Sequence, residues 1–177
     1  REQNTHCVPP LPDAEVESVA ASVVRYPPAA TSTYGRRLVA ADPDIHNTDM
    51  GNAKRLVVWH GQDLRYAYPL RSWFAWTGTH WQQDDAGEVS RRAKDTVRAM
   101  YEFASQVDAL DTRVTIAKHA VASEAAPRMA AMMKLAQSDL VVRPQELDAD
   151  LWALNTPNGT LDLRTGAVRP NRREDLI

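Results

Sequence analysis

The sequence predicts an α+β fold in which a helical core is joined to small antiparallel β-hairpins or a meander and is preceded by a short helical segment. Between residues 89 and 136, apolar residues recur every three or four positions, as on one face of an α-helix. Aromatic residues and glycine-containing turns lie on either side, near residues 64–81 and 151–169, as in hairpins. The chain has 177 residues, 44% of them hydrophobic, which is enough to form one core.

The first 45 residues read as a short helix and a linker. Asp13 is placed to cap a helix, with Glu15 and Glu17 in its first turn, and the apolar residues that follow at helical spacing are Val16, Val19, Ala20, Val23 and Val24. Pro27-Pro28 ends this pattern. We therefore expect residues 1–28 to be the end of an upstream helical module, residues 29–45 to be a linker and residues 46–177 to form the main domain.

The main domain is expected to open with a helix and a hairpin. Asp49 is the expected N-cap of the helix, and Gly61 is the expected residue just beyond its end. The stretch from Leu64 to Tyr68 reads as a strand. Two further strands, Trp73–Trp76 and Thr79–Trp81, surround Thr77-Gly78, where glycine supplies the positive φ of a tight turn.

Three helical stripes and a meander complete the prediction. We expect the stripes to form the core, with methionine as filler and Ser123 as the cap of the third helix; their residues are Val89, Ala93, Val97, Met100, Ala104 and Val107, then Val114, Ala117 and Val121, then Met129, Met132, Met133 and Ala136. The end of the chain reads as three short strands in residues 151–155, 160–163 and 167–169. Asn158-Gly159 is the expected turn between the first two strands.

Composition excludes several classes of protein. The formal net charge of -2 argues against a surface covered with positive charge for nucleic acid. Cys7 is the only cysteine, so no internal disulfide is possible, as expected in a reducing compartment. No apolar run approaches the length of a membrane helix, and the first residues lack a signal-peptide pattern, so no membrane partner is expected. Both ends read as cuts in a longer chain.

Motifs for catalysis are missing. The sequence lacks the phosphate-binding loop G-x-x-x-x-G-K-[ST], a G-x-G-x-x-G fingerprint and a G-x-S-x-G elbow. Its histidines are widely spaced, and no C-x-x-C or H-E-x-x-H pattern occurs. We therefore assign no catalytic residue, metal ligand or cofactor to this chain. One alternative remains open, a free-standing metal-dependent nuclease or hydrolase in which Asp148, Asp150 and Asp162 hold Mg²⁺.

Local clusters of basic residues are the candidate contacts for single-stranded DNA. Arginine pairs with phosphates, and exposed aromatic rings stack on unpaired bases. The alternative is that the basic residues line a solvated helix face and the tryptophans face a core. The candidates are Arg65 and Arg71 among Tyr66, Tyr68, Trp73, Trp76 and Trp81, then Arg91, Arg92, Lys94 and Arg98, and finally Arg169, Arg172 and Arg173.

Several strings resemble phage- and plasmid-type DNA primase–helicases, a group that includes the poxvirus primase–helicase. Residues 154–166 and 169–177 resemble the stretch LNxxNGTLDLRTG…RPxxxEDLI that precedes the motor in that family. Residues 49–56 resemble its D-x-G-N-A-x-R-L helix start, and residues 76–81 its W-x-G-x-x-W element. Residues 7–12 and the helix up to residue 28 resemble the tail of the helical module after the primase domain.

The resemblance implies a position in a larger protein. In that family a primase domain, a linker module and a helicase-associated domain precede a superfamily 3 ATPase that forms rings. The chain would then be a non-catalytic adaptor in DNA replication, in the cytoplasm of a bacterial host, which links primase to helicase and aids ring assembly, DNA engagement or both. Its partners would be the neighbouring domains, other copies in a ring and single-stranded DNA, and ATP and Mg²⁺ would belong only to the parent protein.

Two kinds of adaptor predict different surfaces, and a structural spacer that binds nothing itself is a further alternative. A collar for oligomerisation would leave apolar helix surface exposed. A guide for DNA would gather its basic residues on one face.

Overall fold

The computed structural model describes residues 45–177; the predicted helix after Asp13 and the linker up to residue 44 lie outside the described residues. The described part is an α+β fold, as predicted. It contains four α-helices and two antiparallel sheets of three strands each. In chain order the elements are α1 (Asp49–His60), β1 (Leu64–Ala67), β2 (Ser72–Trp76), β3 (Trp81–Gln83), α2 (Glu88–Gln106), α3 (Leu110–Ser123), α4 (Ala126–Ala136), β4 (Ala153–Thr156), β5 (Gly159–Asp162) and β6 (Val168–Arg169).

Helix α1 has a different N-cap from the one predicted. Thr48, not Asp49, is its N-cap, because the Thr48 hydroxyl accepts a hydrogen bond of 3.1 Å from the Gly51 amide. Gly61 follows the helix, as expected, and its φ of -64° is right-handed. Glycine is needed there for space, since a Cβ at Gly61 would lie 2.4 Å from the Val57 carbonyl oxygen.

The core lies between the helices and the first sheet. Helix α1 packs on α4, and α2 packs on α3. The Met100 and Met132 side chains are buried, which confirms the prediction that methionines fill this core. The buried cluster consists of Ala53, Leu56, Trp59, Leu64, Ala75, Val89, Ala93, Val97, Met100, Ala120, Met132, Ala136 and Leu140.

The first sheet has the order β1–β2–β3. Trp76 pairs with Trp81, which confirms a hairpin here, but the second strand is Trp81–Gln83 and not Thr79–Trp81, so the loop is four residues long, 77–80. Gly78 in this loop has φ 103°, the positive value that the prediction required. Tyr66 ties the sheet to the segment after α4, because its amide donates to the Leu140 carbonyl at 2.6 Å and its carbonyl accepts from the Val142 amide at 3.0 Å.

The second sheet has the order β4–β5–β6, and its first turn lies one residue earlier than predicted. Thr156 pairs with Gly159, so Pro157 and Asn158 form the loop and Gly159 already belongs to β5. Gly159 has φ 143°, and a Cβ there would lie 2.4 Å from the Arg169 carbonyl oxygen. The glycine therefore permits β6 to approach β5 closely.

The sequence predicted Ser123 as the N-cap of α4, and this prediction is wrong. Ser123 is the last residue of α3, and the N-cap of α4 is Ala125, whose side chain cannot accept a hydrogen bond. The Ser123 hydroxyl is instead buried and donates to the His119 carbonyl at 2.8 Å. Among residues 45–177, no helix combines the length and hydropathy that a membrane crossing requires.

Candidate interaction surfaces

Most of the predicted DNA-binding arginines pair with carboxylates. Arg91 and Arg92 both contact Glu88, at 2.7 and 2.8 Å, across the first turns of α2. Arg98 contacts Asp95 at 3.0 Å on the same helix. The exposed pairs add little stability, and the Arg92–Glu88 pair is half-buried, but each pair gives its arginine an intramolecular partner that a DNA phosphate would have to replace.

The arginines near the C-terminus are held more firmly. Arg169 forms two hydrogen bonds with Asp175, at 2.6 and 2.9 Å, and the carboxylate raises the pKa of the guanidinium above its ordinary value. Arg173 donates through Nε to Asp63 at 2.6 Å, which joins the C-terminal segment to the turn before β1. Both arginines therefore have structural partners within the domain.

Arg65 and Arg173 each lie beside a tryptophan ring of the first sheet, and the two rings are neighbours. The Arg65 guanidinium lies 4.8 Å from the centre of the Trp81 ring, and the Arg173 guanidinium lies 5.8 Å from that of Trp76. The two rings are 5.7 Å apart. The Trp81 indole donates to the Arg173 carbonyl at 2.8 Å, and the Trp81 amide to the Ile177 carbonyl at 2.7 Å. The W-x-G-x-x-W element thus holds the end of the C-terminal string against the sheet.

Arg65 is half-buried in this arrangement. Its Nη1 donates to the carbonyls of Gly61 and Leu64, at 2.6 and 2.7 Å, and burial lowers the pKa of its guanidinium. Arg71, Lys94 and Arg172 are exposed and form no ion pair within residues 45–177. The nine basic residues are spread over β1, the β1–β2 turn, α2, β6 and the segment after β6, and their contact with DNA stays a prediction.

Of the three aspartates of the nuclease alternative, Asp148 lies in a turn, Asp150 lies shortly before β4 and Asp162 is the last residue of β5. The Asp162 carboxylate accepts from the amides of Arg164 and Thr165, at 2.8 and 3.2 Å, and these bonds lower the pKa of that carboxyl. Asp150 accepts from the Trp152 amide at 3.0 Å, and Asp148 has a φ of 53°. In the described part of the chain, no group of three or more His, Cys, Asp or Glu residues is arranged to hold a metal ion.

The string D-x-G-N-A-x-R-L organises the start of the domain. Gly51 is required because a Cβ there would lie 1.8 Å from the His46 carbonyl oxygen, so the incoming chain runs directly against α1. Arg55 donates to the carbonyls of Ile45 and His46, at 3.4 and 3.2 Å, and thereby holds that chain in place. Leu56 is fully buried in the core.

Asn52 extends the same string into a buried polar cluster. Its Oδ1 faces both Arg55 Nη1, at 3.2 Å, and His119 Nε2, at 2.9 Å, and its Nδ2 donates to the Ser123 hydroxyl at 2.9 Å. Because Oδ1 accepts from both neighbours, His119 carries a proton on Nε2. Burial lowers the pKa of His119, and the nearby Arg55 charge adds to the effect. The cluster thus fixes α3 to α1 through satisfied hydrogen bonds.

The opposite face of α3 is an apolar stripe turned toward solvent, which we call the outer stripe: Leu110, Val114, Ala117 and Val121. The exposed fractions of Leu110, Val114 and Val121 are 66%, 41% and 60%. The prediction that Val114 and Val121 belong to the core is therefore wrong. Helix α3 carries a second set of residues, Ile116, His119, Ala120 and Ser123, and this set faces inward. Helical spacing shows that residues share one face of a helix, but it does not show whether that face points toward the core or toward solvent.

A second apolar surface lies on the sheet of β4, β5 and β6. Leu154, Leu161 and Val168 are cross-strand neighbours and share one face, on which Leu154 and Val168 are 49% and 59% exposed. The opposite face is polar and carries Thr160, whose hydroxyl donates to Asn171 at 3.1 Å. The sheet therefore turns its polar face toward the C-terminal segment and its apolar face toward solvent.

Comparison with known proteins identifies the class of this domain. A family model described as D5 N terminal like matches residues 53–177, which is well over half of the chain. The chain belongs to this family. The family represents the N-terminal domain of D5-like primase–helicase proteins. No curated protein and no solved structure gives a significant match.

Proposed function

We propose that this chain is a non-catalytic adaptor domain between the primase and superfamily 3 ATPase domains of a DNA primase–helicase, and that it acts by packing against neighbouring protein. The family match supports the setting. The observation that supports packing is the outer stripe of α3. Its apolar side chains are exposed to solvent, although the inner face of the same helix is already buried against the domain.

The stripe has the spacing of a helix-pairing seam. Its four residues are separated by steps of four, three and four, which is the alternation of the a and d positions in a coiled coil. Covering a valine or leucine side chain fully stabilises a complex by roughly 1.5–3 kcal/mol. Three such side chains on one short helix therefore give a partner helix a substantial gain on docking.

Electrostatics favours packing over DNA binding as the main activity. Arg91, Arg92, Arg98, Arg169 and Arg173 have carboxylate partners within the domain. The net charge of the chain is -2, so no general attraction to phosphate adds to the local contacts.

The test compares the parent protein with two double variants, each of which replaces two exposed apolar side chains by serine. Leu110→Ser with Val121→Ser alters the outer stripe, and Met50→Ser with Leu151→Ser alters exposed apolar residues elsewhere. Sedimentation velocity would measure ring assembly, and DNA-dependent ATP hydrolysis would measure coupling. We expect the stripe variant to lose assembly or coupling while the matched variant keeps both. If the stripe variant matches the parent protein in both measurements, the proposed packing role is wrong and the domain is a structural spacer.

A second candidate, contact with single-stranded DNA, rests on the β1–β2 turn. There Arg71 lies beside Tyr68 and Leu70, whose exposed fractions are 47% and 52%. A cation beside an exposed ring suits an unpaired base and its phosphate. Fluorescence anisotropy of a labelled oligonucleotide, titrated at several salt concentrations, would show saturable salt-dependent binding that Arg71→Glu weakens and the matched Arg98→Glu leaves intact. Absence of binding at low salt would remove this candidate.

A further inference from the structure

The outer stripe of α3 matches a second copy of itself in spacing and in charge. We propose that two copies of this chain pair through their outer stripes, with the two α3 helices antiparallel and related by a two-fold axis. The inference rests on the proposed function, because it names the protein against which the stripe packs. Every residue of the proposed contact belongs to the described part of the chain.

The spacing of the stripe permits the antiparallel order. Its residues alternate by steps of four, three and four, a pattern that reads the same in both directions. When Leu110 of one copy lies opposite Val121 of the other, Val114 lies opposite Ala117, and all four residues of each stripe are covered. Each contact is made twice, once on each side of the two-fold axis, as in the self-complementary interfaces of most homodimers.

Two charged residues, Asp111 and Lys118, flank the stripe on one side. Both are exposed, and neither forms an ion pair within residues 45–177. In an antiparallel pair the same side of both helices meets, and Asp111 of each copy lies only about 3 Å along the axis from Lys118 of the other. The contact therefore brings together two pairs of opposite charges, whereas a parallel pair would place Asp111 and Lys118 on opposite sides of the seam.

The charges on the other side of the stripe are also compatible with a second copy. The Arg113 Nε donates to the Val107 carbonyl at 2.9 Å, which directs the guanidinium toward the start of α3. The two arginines are therefore directed away from each other, and each reaches toward the end of the other α3, where Glu124 follows the helix. The two Lys118 residues lie about 7.5 Å apart along the axis, more than twice as far as each lies from Asp111 of the other copy.

The contact is small, and its size sets the expected strength. Four side chains of a 14-residue helix from each copy cover less than the roughly 1,200 Å² of a stable interface, so we expect weak dimers of the chain alone. Copies that are gathered in a larger assembly have a higher effective concentration, which strengthens the same contact. A two-fold contact is complete after two copies, so a ring of the parent protein would need a further surface.

Charge reversal tests the arrangement, because the two ion pairs can be broken and then restored. Sedimentation equilibrium of the 177-residue chain, under reducing conditions, should show a mass that rises with concentration from 19.7 kDa toward twice that value. Asp111→Lys alone and Lys118→Asp alone should each weaken the dimer several-fold, because like charges then face each other. An equal mixture of the two variants should associate as strongly as the unaltered chain, because both ion pairs form again between unlike chains.

Asp139→Lys and Lys134→Asp are the matched variants, since they make the same changes of charge at exposed positions outside α3. Each of them alone should associate like the unaltered chain, and so should their mixture. This control separates the specific ion pairs from a general attraction between chains of different net charge.

Two results would overturn the inference. One is a mass that stays at 19.7 kDa up to millimolar concentration. The other is a dimer that the single variants leave intact or that their mixture does not restore, which would mean another surface or another orientation. Neither result decides the proposed function, which fails only when altering the stripe leaves the assembly and coupling of the parent protein unchanged.

Discussion

Helices α2 and α3 pack against each other but differ in where most of their large apolar residues lie. On α2, residues such as Val97 and Met100 are buried, and the outer face carries charged residues in ion pairs. On α3, the buried face holds the polar residues His119 and Ser123 together with Ile116 and Ala120, and the apolar outer stripe faces solvent. Helix α2 is therefore a core helix, whereas α3 is attached inward by hydrogen bonds and two apolar side chains and leaves its larger apolar surface exposed to solvent.

The largest effect should come from the buried face of α2. Met100→Ala removes a side chain that is 2% exposed in the middle of the core. Such truncations leave a cavity and lower the free energy of unfolding by about 2–5 kcal/mol. Urea denaturation would measure the loss. Met50→Ala, at a position 63% exposed, is the matched control and should change stability by less than about 0.5 kcal/mol.

A smaller loss should follow from breaking the inward attachment of α3. Asn52→Ala removes the acceptor that faces the His119 ring and the donor to the Ser123 hydroxyl, and Arg55 loses one acceptor. An unsatisfied buried polar group costs roughly 1–3 kcal/mol, which denaturant unfolding would detect. Asn47→Ala, which removes only an exposed contact with Arg55, should have a much smaller effect. Equal losses in the two variants would contradict a structural role for the buried cluster.

The smallest effect concerns pH and the contact between α1 and α2. Burial lowers the pKa of His60 from 6.5 to about 4, and the Arg92 charge on α2 adds to the effect. The unfolded chain binds a proton near pH 6.5, whereas the folded chain resists it until about pH 4. The contribution of His60 to stability is therefore complete above pH 6.5 and is lost as the pH falls toward 4.

The pH effect is separable by substitution. Thermal unfolding of the His60→Gln variant should show a smaller decrease in Tm between about pH 7.5 and pH 5 than the unaltered chain shows, because one proton-linked group is gone. The exposed His46→Gln variant is the control and should follow the unaltered chain. An identical decrease in all three proteins would contradict the linkage through His60.

The sequence predicted the fold well where local chemistry determines it. The hairpin around Gly78 and the methionine-filled core were confirmed, because turn geometry and helical spacing are local properties. The errors came from contacts between distant residues. Ser123 looks like a cap in sequence, but Asn52, 71 positions away, recruits its hydroxyl into the buried cluster.

The candidate surface was harder to predict for the same reason. Val114 and Val121 have the spacing of core residues. They lie on the solvent side because the face of α3 that contains His119 packs against the domain instead. The pairing of Arg91 with Glu88 was visible as a local spacing, but that of Arg173 with Asp63 spans 110 positions. Predicting which arginines have partners therefore required the tertiary structure.

The most direct test of the central claim measures whether the outer stripe is covered in the parent protein. In a Cys7→Ser background, Val121→Cys would place a thiol on the stripe, and Leu151→Cys would place one at an exposed apolar position outside it. The rates of alkylation by a maleimide would then be compared. The account predicts that the thiol at position 121 reacts several-fold more slowly than the thiol at position 151. Equal rates would show that the stripe stays open to solvent and would contradict the account.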